Sequence, residues 1–65
     1  MQQQLSIRKL RVLNNLTQVQ MAKIIGISAV SYSKKEAGKR KWNLEEIVVI
    51  KKHFKINIDD LEEVK

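Results

Sequence analysis

The chain has 65 residues, with 13 Lys and Arg against 7 Asp and Glu, one His, no Cys, no Pro and a net charge of +6. A chain this short forms one simple domain that buries only ~60% of its unfolded surface. It leaves no room for a supported catalytic cleft, no disulfide or thiolate metal site, and, with His53 alone, no histidine metal cluster.

Ile, Val and Leu make up twenty residues. Apolar positions recur at three- and four-residue intervals, which predicts helices rather than strands. An opening helix at about 4–14 ends at Asn14-Asn15, since Asn tolerates the left-handed cap conformation. Thr17 with Gln20 is a capping box that starts a second helix at about 18–25, and Gly26 ends it. Ser28 caps a third at about 29–36, closed by Gly38. Asn43 with Glu46 starts a fourth at about 44–54, and Asn57 with Asp60 a fifth at about 58–64, each with acids at the positive helix end. Ile7, Leu10, Leu16, Met21, Ile25, Ile27, Ile47, Ile50, Phe54 and Leu61 supply the expected core. The expectation is an all-α, compact five-helix fold, one domain over 1–65.

Charge divides along the chain. Residues 1–42 carry nine Lys/Arg and one acid, Glu36, for +8, while residues 43–65 carry four Lys and six acids, for −2. A basic body beside a near-neutral segment points to a polyanion on one face. The longest apolar run, Ile47 to Ile50, is too short to cross a bilayer. The Met-Gln-Gln-Gln start lacks a charged-then-apolar leader pattern, so a cytoplasmic protein is expected.

The sharpest signal is Thr17-Gln-Val-Gln-Met-Ala-Lys-Ile-Ile-Gly-Ile-Ser-Ala-Val-Ser-Tyr-Ser-Lys-Lys-Glu36. Ala22 stands where two helices approach closest, and Gly26 four residues later allows the positive φ of the turn. Ile27 packs in the turn and Tyr32 fills the inner face of the next helix. This is the steric pattern of a helix-turn-helix.

The segment resembles the helix-turn-helix of lambdoid phage repressors and Cro proteins, shared with xenobiotic-response-element-type bacterial regulators. The resemblance runs from about residue 5 to 62. It includes Glu36-Ala37-Gly38-Lys39-Arg40 and the closing Ile50, Phe54 and Lys55-Ile56-Asn57-Ile58-Asp59-Asp60-Leu61. It implies a lambda-repressor-like DNA-binding domain, with the motif at about 17–36 and a recognition helix at about 28–36. Arg11 and Glu36 match the family's structural ion pair. Ala29, Val30, Ser33 and Lys34 fall on the positions that meet base edges. Lys34 suits guanine O6/N7, and Ala29 and Val30 suit thymine methyls. Gln18 matches a phosphate-contacting Gln, and Ser28 and Ser31 are placed with it on the DNA backbone. Lys39, Arg40 and Lys41 form a basic loop suited to phosphates.

The chain departs from the pattern at several positions. Tyr32 stands where Ile or Val is usual, with its hydroxyl expected at water or a phosphate. Lys35 occupies an apolar position where only its stem can pack. Trp42 replaces a Pro and is expected to anchor the fourth helix, and Val12, Val48 and Val49 leave an apolar surface. His53 has no expected role.

The function expected is a sequence-specific duplex-DNA-binding transcriptional regulator, a repressor of phage or mobile-element type in a bacterial cell. It would occlude a pseudo-palindromic operator as a weak homodimer. Val49, Ile58 and Val64 are the candidate interface. No cofactor, metal, membrane or small-molecule ligand is expected, and no enzymatic activity. Two rivals remain: a protein-interaction module such as an antitoxin, docking around Val48 and Val49, and an RNA-binding protein. The second lacks the aromatic interleaving that base stacking requires.

Overall fold

Caps and apolar faces set the boundaries of four α-helices in the structure, a computed structural model that describes residues 5–64. They are α1 (Ile7–Leu13), α2 (Gln18–Ile25), α3 (Ala29–Glu36) and α4 (Leu44–Phe54). The α1 helix starts three residues later than expected because Ser6 caps it, its hydroxyl accepting from the Lys9 N–H at 3.0 Å. A second acceptor comes from the far end of the chain. The Glu63 carboxylate takes the Ile7 N–H at 3.0 Å, satisfying another orphan donor of that helix end. The chain leaves α1 through Asn15, at φ 57°.

The reciprocal bonds expected at Thr17 and Asn43 are both present. Thr17 accepts from the Gln20 N–H at 3.1 Å and donates its own N–H to Gln20 Oε1 at 2.8 Å. Asn43 and Glu46 repeat this at 2.8 and 2.9 Å. After α3, Gly38 at φ 81° completes a Schellman closure: its N–H donates to the Lys35 carbonyl at 3.1 Å and the Lys39 N–H to that of Lys34 at 2.8 Å.

The fifth helix is not an α-helix. Residues 58–64 form two single-turn 3-10 segments, Ile58–Asp60 and Glu62–Val64, and Asn57 makes no side-chain cap bond. Between them Leu61 is extended (φ −85°, ψ 129°) and faces Leu5 in a parallel bridge. The Leu5 N–H donates to the Asp60 carbonyl at 2.9 Å, and the Glu62 N–H to that of Leu5 at 3.0 Å. An unbroken helix would forfeit both bonds. The bridge instead drives Leu61 into the core, where it is fully buried.

That core consists of Ile7, Leu10, Met21, Ala22, Ile25, Tyr32, Ile47, Ile50 and Leu61, so every α-helix contributes and α2 lies between α3 and α4. Leu16, Ile27 and Phe54, expected inside, pack half-buried at its margin. Trp42 does the same at the entry to α4, edge-on to Tyr32 with ring centroids 5.7 Å apart.

Candidate nucleic-acid interface

The α2–turn–α3 unit is built as the residue pattern requires. Ala22 is buried where α2 meets its neighbours, and Gly26 turns the chain at φ 88°. No atom lies within 4 Å of a Cβ built there, so glycine is demanded by the backbone angle and not by space. Ser28 opens α3, accepting from the Ser31 N–H at 3.1 Å.

Helical spacing then sorts the α3 side chains. Tyr32 and Glu36, one turn apart, face inward; the Tyr32 residue and the Glu36 side chain are essentially inaccessible. Val30 and Lys34, also one turn apart, are exposed, Val30 at 64%, with Ala29 and Ser33 half-buried beside them. Val30 and Lys34 therefore lie on the side of α3 that faces away from the core, with Ser33 at its edge, whereas Ala29, expected among the base-reading residues, packs against the core on the Tyr32–Glu36 side. Lys39, Arg40 and Lys41 follow immediately, all exposed. Arg40 bends back so that its Nη1 donates to Ser31 Oγ at 3.3 Å, joining the loop to the helix.

Glu36 gathers four side-chain donors onto one buried carboxylate. Arg11 Nε donates to Oε2 at 2.9 Å and its Nη2 to Oε1 at 3.3 Å. Arg8 Nε (3.3 Å) and Gln18 Nε2 (3.1 Å) both reach Oε1, and the Tyr32 hydroxyl donates to Oε2. Arg11 Nη1 also donates to the Leu16 carbonyl at 2.9 Å, pinning the α1–α2 loop. Burial alone pushes the Glu36 carboxyl up, but the bonds from Arg11, Tyr32 and Gln18 outweigh it and bring it down to about 2. The Arg11 guanidinium is raised by its bond to Glu36, against its own desolvation. Burial, reinforced by Glu36, pushes the Tyr32 phenol up.

The Arg11–Glu36 pair forms as expected, but the environment differs in three ways. The Tyr32 hydroxyl meets Glu36 and is buried, not at water or a phosphate. Gln18 has one amide hydrogen committed to Glu36, which leaves the other for a phosphate. Lys35 buries its head as well as its stem: Nζ donates to Glu46 Oε2, the two side chains 13% and 7% exposed, and lies 5.8 Å from the Trp42 ring centroid. A charge at an inward position requires a partner. That requirement signals an acidic partner for Lys35, and the packing of α3 on α4 supplies it as Glu46.

A family model described as helix-turn-helix matches residues 7–61. The chain belongs to that helix-turn-helix family. The HTH-type transcriptional activator BcrR of Enterococcus faecalis is 40% identical over 55 residues, covering 85% of this chain and 27% of that protein. The chain thus spans about a quarter of that relative's length. No solved structure matches it.

The helix-turn-helix frame accounts for the outward stripe of α3. The candidate dimer residues are less uniform. Val64 is exposed, whereas Val49 and Ile58 are half-buried, Ile58 against the core. Val48 is half-buried too. The large exposed apolar side chains are Val12, Leu13, Val19, Val30, Leu44 and Val64, so the apolar surface expected around Val48 and Val49 lies elsewhere. Among the described residues no group of acids and histidines is placed to hold a metal, and no helix is long and apolar enough to cross a membrane.

Proposed function

We propose that the chain is a sequence-specific duplex-DNA-binding transcriptional regulator. One observation carries this reading: Val30 and Lys34, with Ser33 at their edge, form an outward stripe on a helix whose far end is clamped by Glu36, next to an exposed Lys39-Arg40-Lys41 loop. In this reading α3 enters the major groove with its first turns at the bases. The loop, Gln18, Ser28 and Ser31 hold phosphates. Phosphate contacts set affinity and register, while α3 supplies sequence preference.

A single recognition helix contacts too few base pairs to specify a site in a genome, so we propose a weak two-fold dimer on a pseudo-palindromic operator. Two recognition helices then stand about 34 Å apart, one turn of B-DNA. The near-neutral segment from α4 to Val64 is the face suited to self-association, because the α1–α3 half carries the positive charge. Of the three candidate residues Val64 is the most exposed, with Val49 and Ile58 contributing their accessible edges. The proposed action is repression by occlusion, which asks nothing of the domain beyond occupancy. The matched relative is named an activator, so the sign of regulation is tested separately, with a promoter-reporter assay in which repression lowers output.

Binding to duplex DNA that weakens steeply with salt, and more steeply than binding to a structured RNA of equal length, is the expected result. Affinity for neither polyanion would overturn the reading in favour of a protein-interaction module. For the dimer, sedimentation on a two-half-site duplex should show two chains bound cooperatively, and Val64→Asp should abolish the cooperativity. Independent filling of the half-sites by the unaltered chain would end the dimer proposal.

A further inference from the structure

We propose that residues 57–64 form a detachable strap whose docking on α1 holds α3 in its DNA-binding setting, so that release of the strap lowers affinity for DNA and bound DNA keeps the strap docked. This rests on the duplex-DNA reading above and adds a conformational control to it.

The strap is held at few points. Its two 3-10 segments, Ile58–Asp60 and Glu62–Val64, each close a single turn, and Asn57 adds no cap bond. Leu61 is its one fully buried residue; Ile58 is half-buried, and the rest lies exposed. Asp59, Asp60, Glu62 and Glu63 place four like charges within five residues, which repel one another. A segment with so few buried apolar contacts opens at lower free energy than the core. At its root Lys55 is held at φ 56°, an angle a Cβ disfavours, and release of the strap relieves it.

What the strap holds is the start of α1. The Leu5 N–H donates to the Asp60 carbonyl at 2.9 Å and the Glu62 N–H to the Leu5 carbonyl at 3.0 Å, while the Glu63 carboxylate accepts from the Ile7 N–H at 3.0 Å. With seven residues, α1 is too short to stand without such contacts. It carries Arg8 and Arg11, which both donate to Glu36, the last residue of α3. Arg11 also donates to the Leu16 carbonyl, in the loop that leads to Gln18. Glu62 and Glu63 line one cleft with Arg8, Glu36 and Ala37, so the strap borders the end of α3 as well. Release strips Ile7 of its acceptor and takes Leu61 out of the core, which frees α1 and, with it, the two guanidiniums that set α3. Docked and released states therefore differ at both the strap and the DNA face, and the coupling between them is reciprocal.

Hydrogen exchange of the full chain, free and saturated with a duplex it has selected from a randomised library, tests the coupling. The Leu5 and Glu62 amides should exchange faster than those of Met21 and Ile25 in α2, and the duplex should slow them about tenfold. Strap amides that exchange no faster than α2 overturn the proposal, because the strap then opens only with the whole domain. Fast strap amides that the duplex leaves unchanged overturn it too. A charge-matched pair of variants separates release from simple repulsion of DNA. Glu62→Ala and Glu63→Ala each remove one acid, but only Glu63 holds α1 through its side chain. Glu63→Ala should bind the duplex roughly two- to threefold more weakly than Glu62→Ala, as its docked fraction falls. Both side chains are exposed, so both variants should fold, as circular dichroism will verify. Equal affinities of the two would show that the strap acts by charge alone, against the proposal. A library from which no duplex is enriched instead overturns the DNA-binding reading itself.

Discussion

The α2–α3 unit and the segment from Lys55 to Val64 both begin with a helix-start signal, and only the first becomes regular helix. Thr17 makes both bonds of its capping box, while Asn57 makes no cap bond. The residues after the two caps differ as well. Beyond Thr17, Met21, Ala22 and Ile25 bury one continuous face of α2. Beyond Asn57 there is no such face: of Ile58, Leu61 and Val64, set among four acids, Leu61 alone is fully buried and Val64 is exposed. With Leu61 extended, its neighbours Asp60 and Glu62 also gain backbone partners in Leu5. A cap permits a helix; a buried face on one side of it supplies the stability.

The same two regions differ in how they hold charge. Glu36 is buried under four donors, whereas Asp59, Asp60, Glu62 and Glu63 are exposed. The largest effect is therefore expected at Glu36. Glu36→Gln strands Arg11 and should cost about 3 kcal/mol, or roughly 12–24 °C in Tm for a domain this size. The acid limb of stability supplies a second readout. Glu36 is held at about 2 against an ordinary 4.5, so its contribution is complete above about pH 5 and is lost as pH falls toward 2. Glu36→Gln should flatten that limb. A melt that overlays the unaltered chain, or an unchanged acid limb, would show that the buried carboxylate is not the clamp.

A smaller and sharper contrast pits the two asparagines against each other. Asn43→Ala removes a working cap and should cost ~1 kcal/mol, while Asn57→Ala should be close to neutral. Equal losses in chemical denaturation would mean that Asn57 caps in solution, and the comparison would fail. The smallest expected change is a gain. Lys55 closes α4 at φ 56°, an angle that a Cβ disfavours. Lys55→Gly should raise stability by roughly 0.5–1 kcal/mol, because glycine occupies that region freely. A loss on the same denaturation curve would show that the Lys55 side chain contributes more than its backbone angle costs.

These contrasts also mark what can be read from residues alone. Thr17, Ser28, Asn43, Gly26 and Gly38 declare themselves because capping and positive φ are local requirements. The core is legible from spacing, Leu61 included. The Arg11–Glu36 pair comes from family resemblance, and the structure places it as that resemblance implies. The remaining site partners are hidden for a common reason. Gln18, Tyr32 and Arg8 converge on Glu36 only once three helices pack, and Lys35 finds Glu46 only across α3 and α4. Glu63 reaches Ile7 across nearly the whole chain. Ser6 is a local signal too, masked by Leu5 just ahead of it, which suggests an earlier start.

The central claim separates a reading face on α3 from a holding loop after it. Its most direct measurement is the salt-dependent affinity of Lys34→Ala and Lys39→Ala chains for an enriched duplex, selected from a randomised library by the unaltered chain, and for a scrambled one. Lys34→Ala should cost roughly 1–3 kcal/mol on the enriched duplex and little on the scrambled one. Lys39→Ala should weaken both alike and lower the salt slope by about one unit. If Lys34→Ala instead weakens both duplexes equally, or neither, α3 does not present its Val30–Lys34 stripe to the bases.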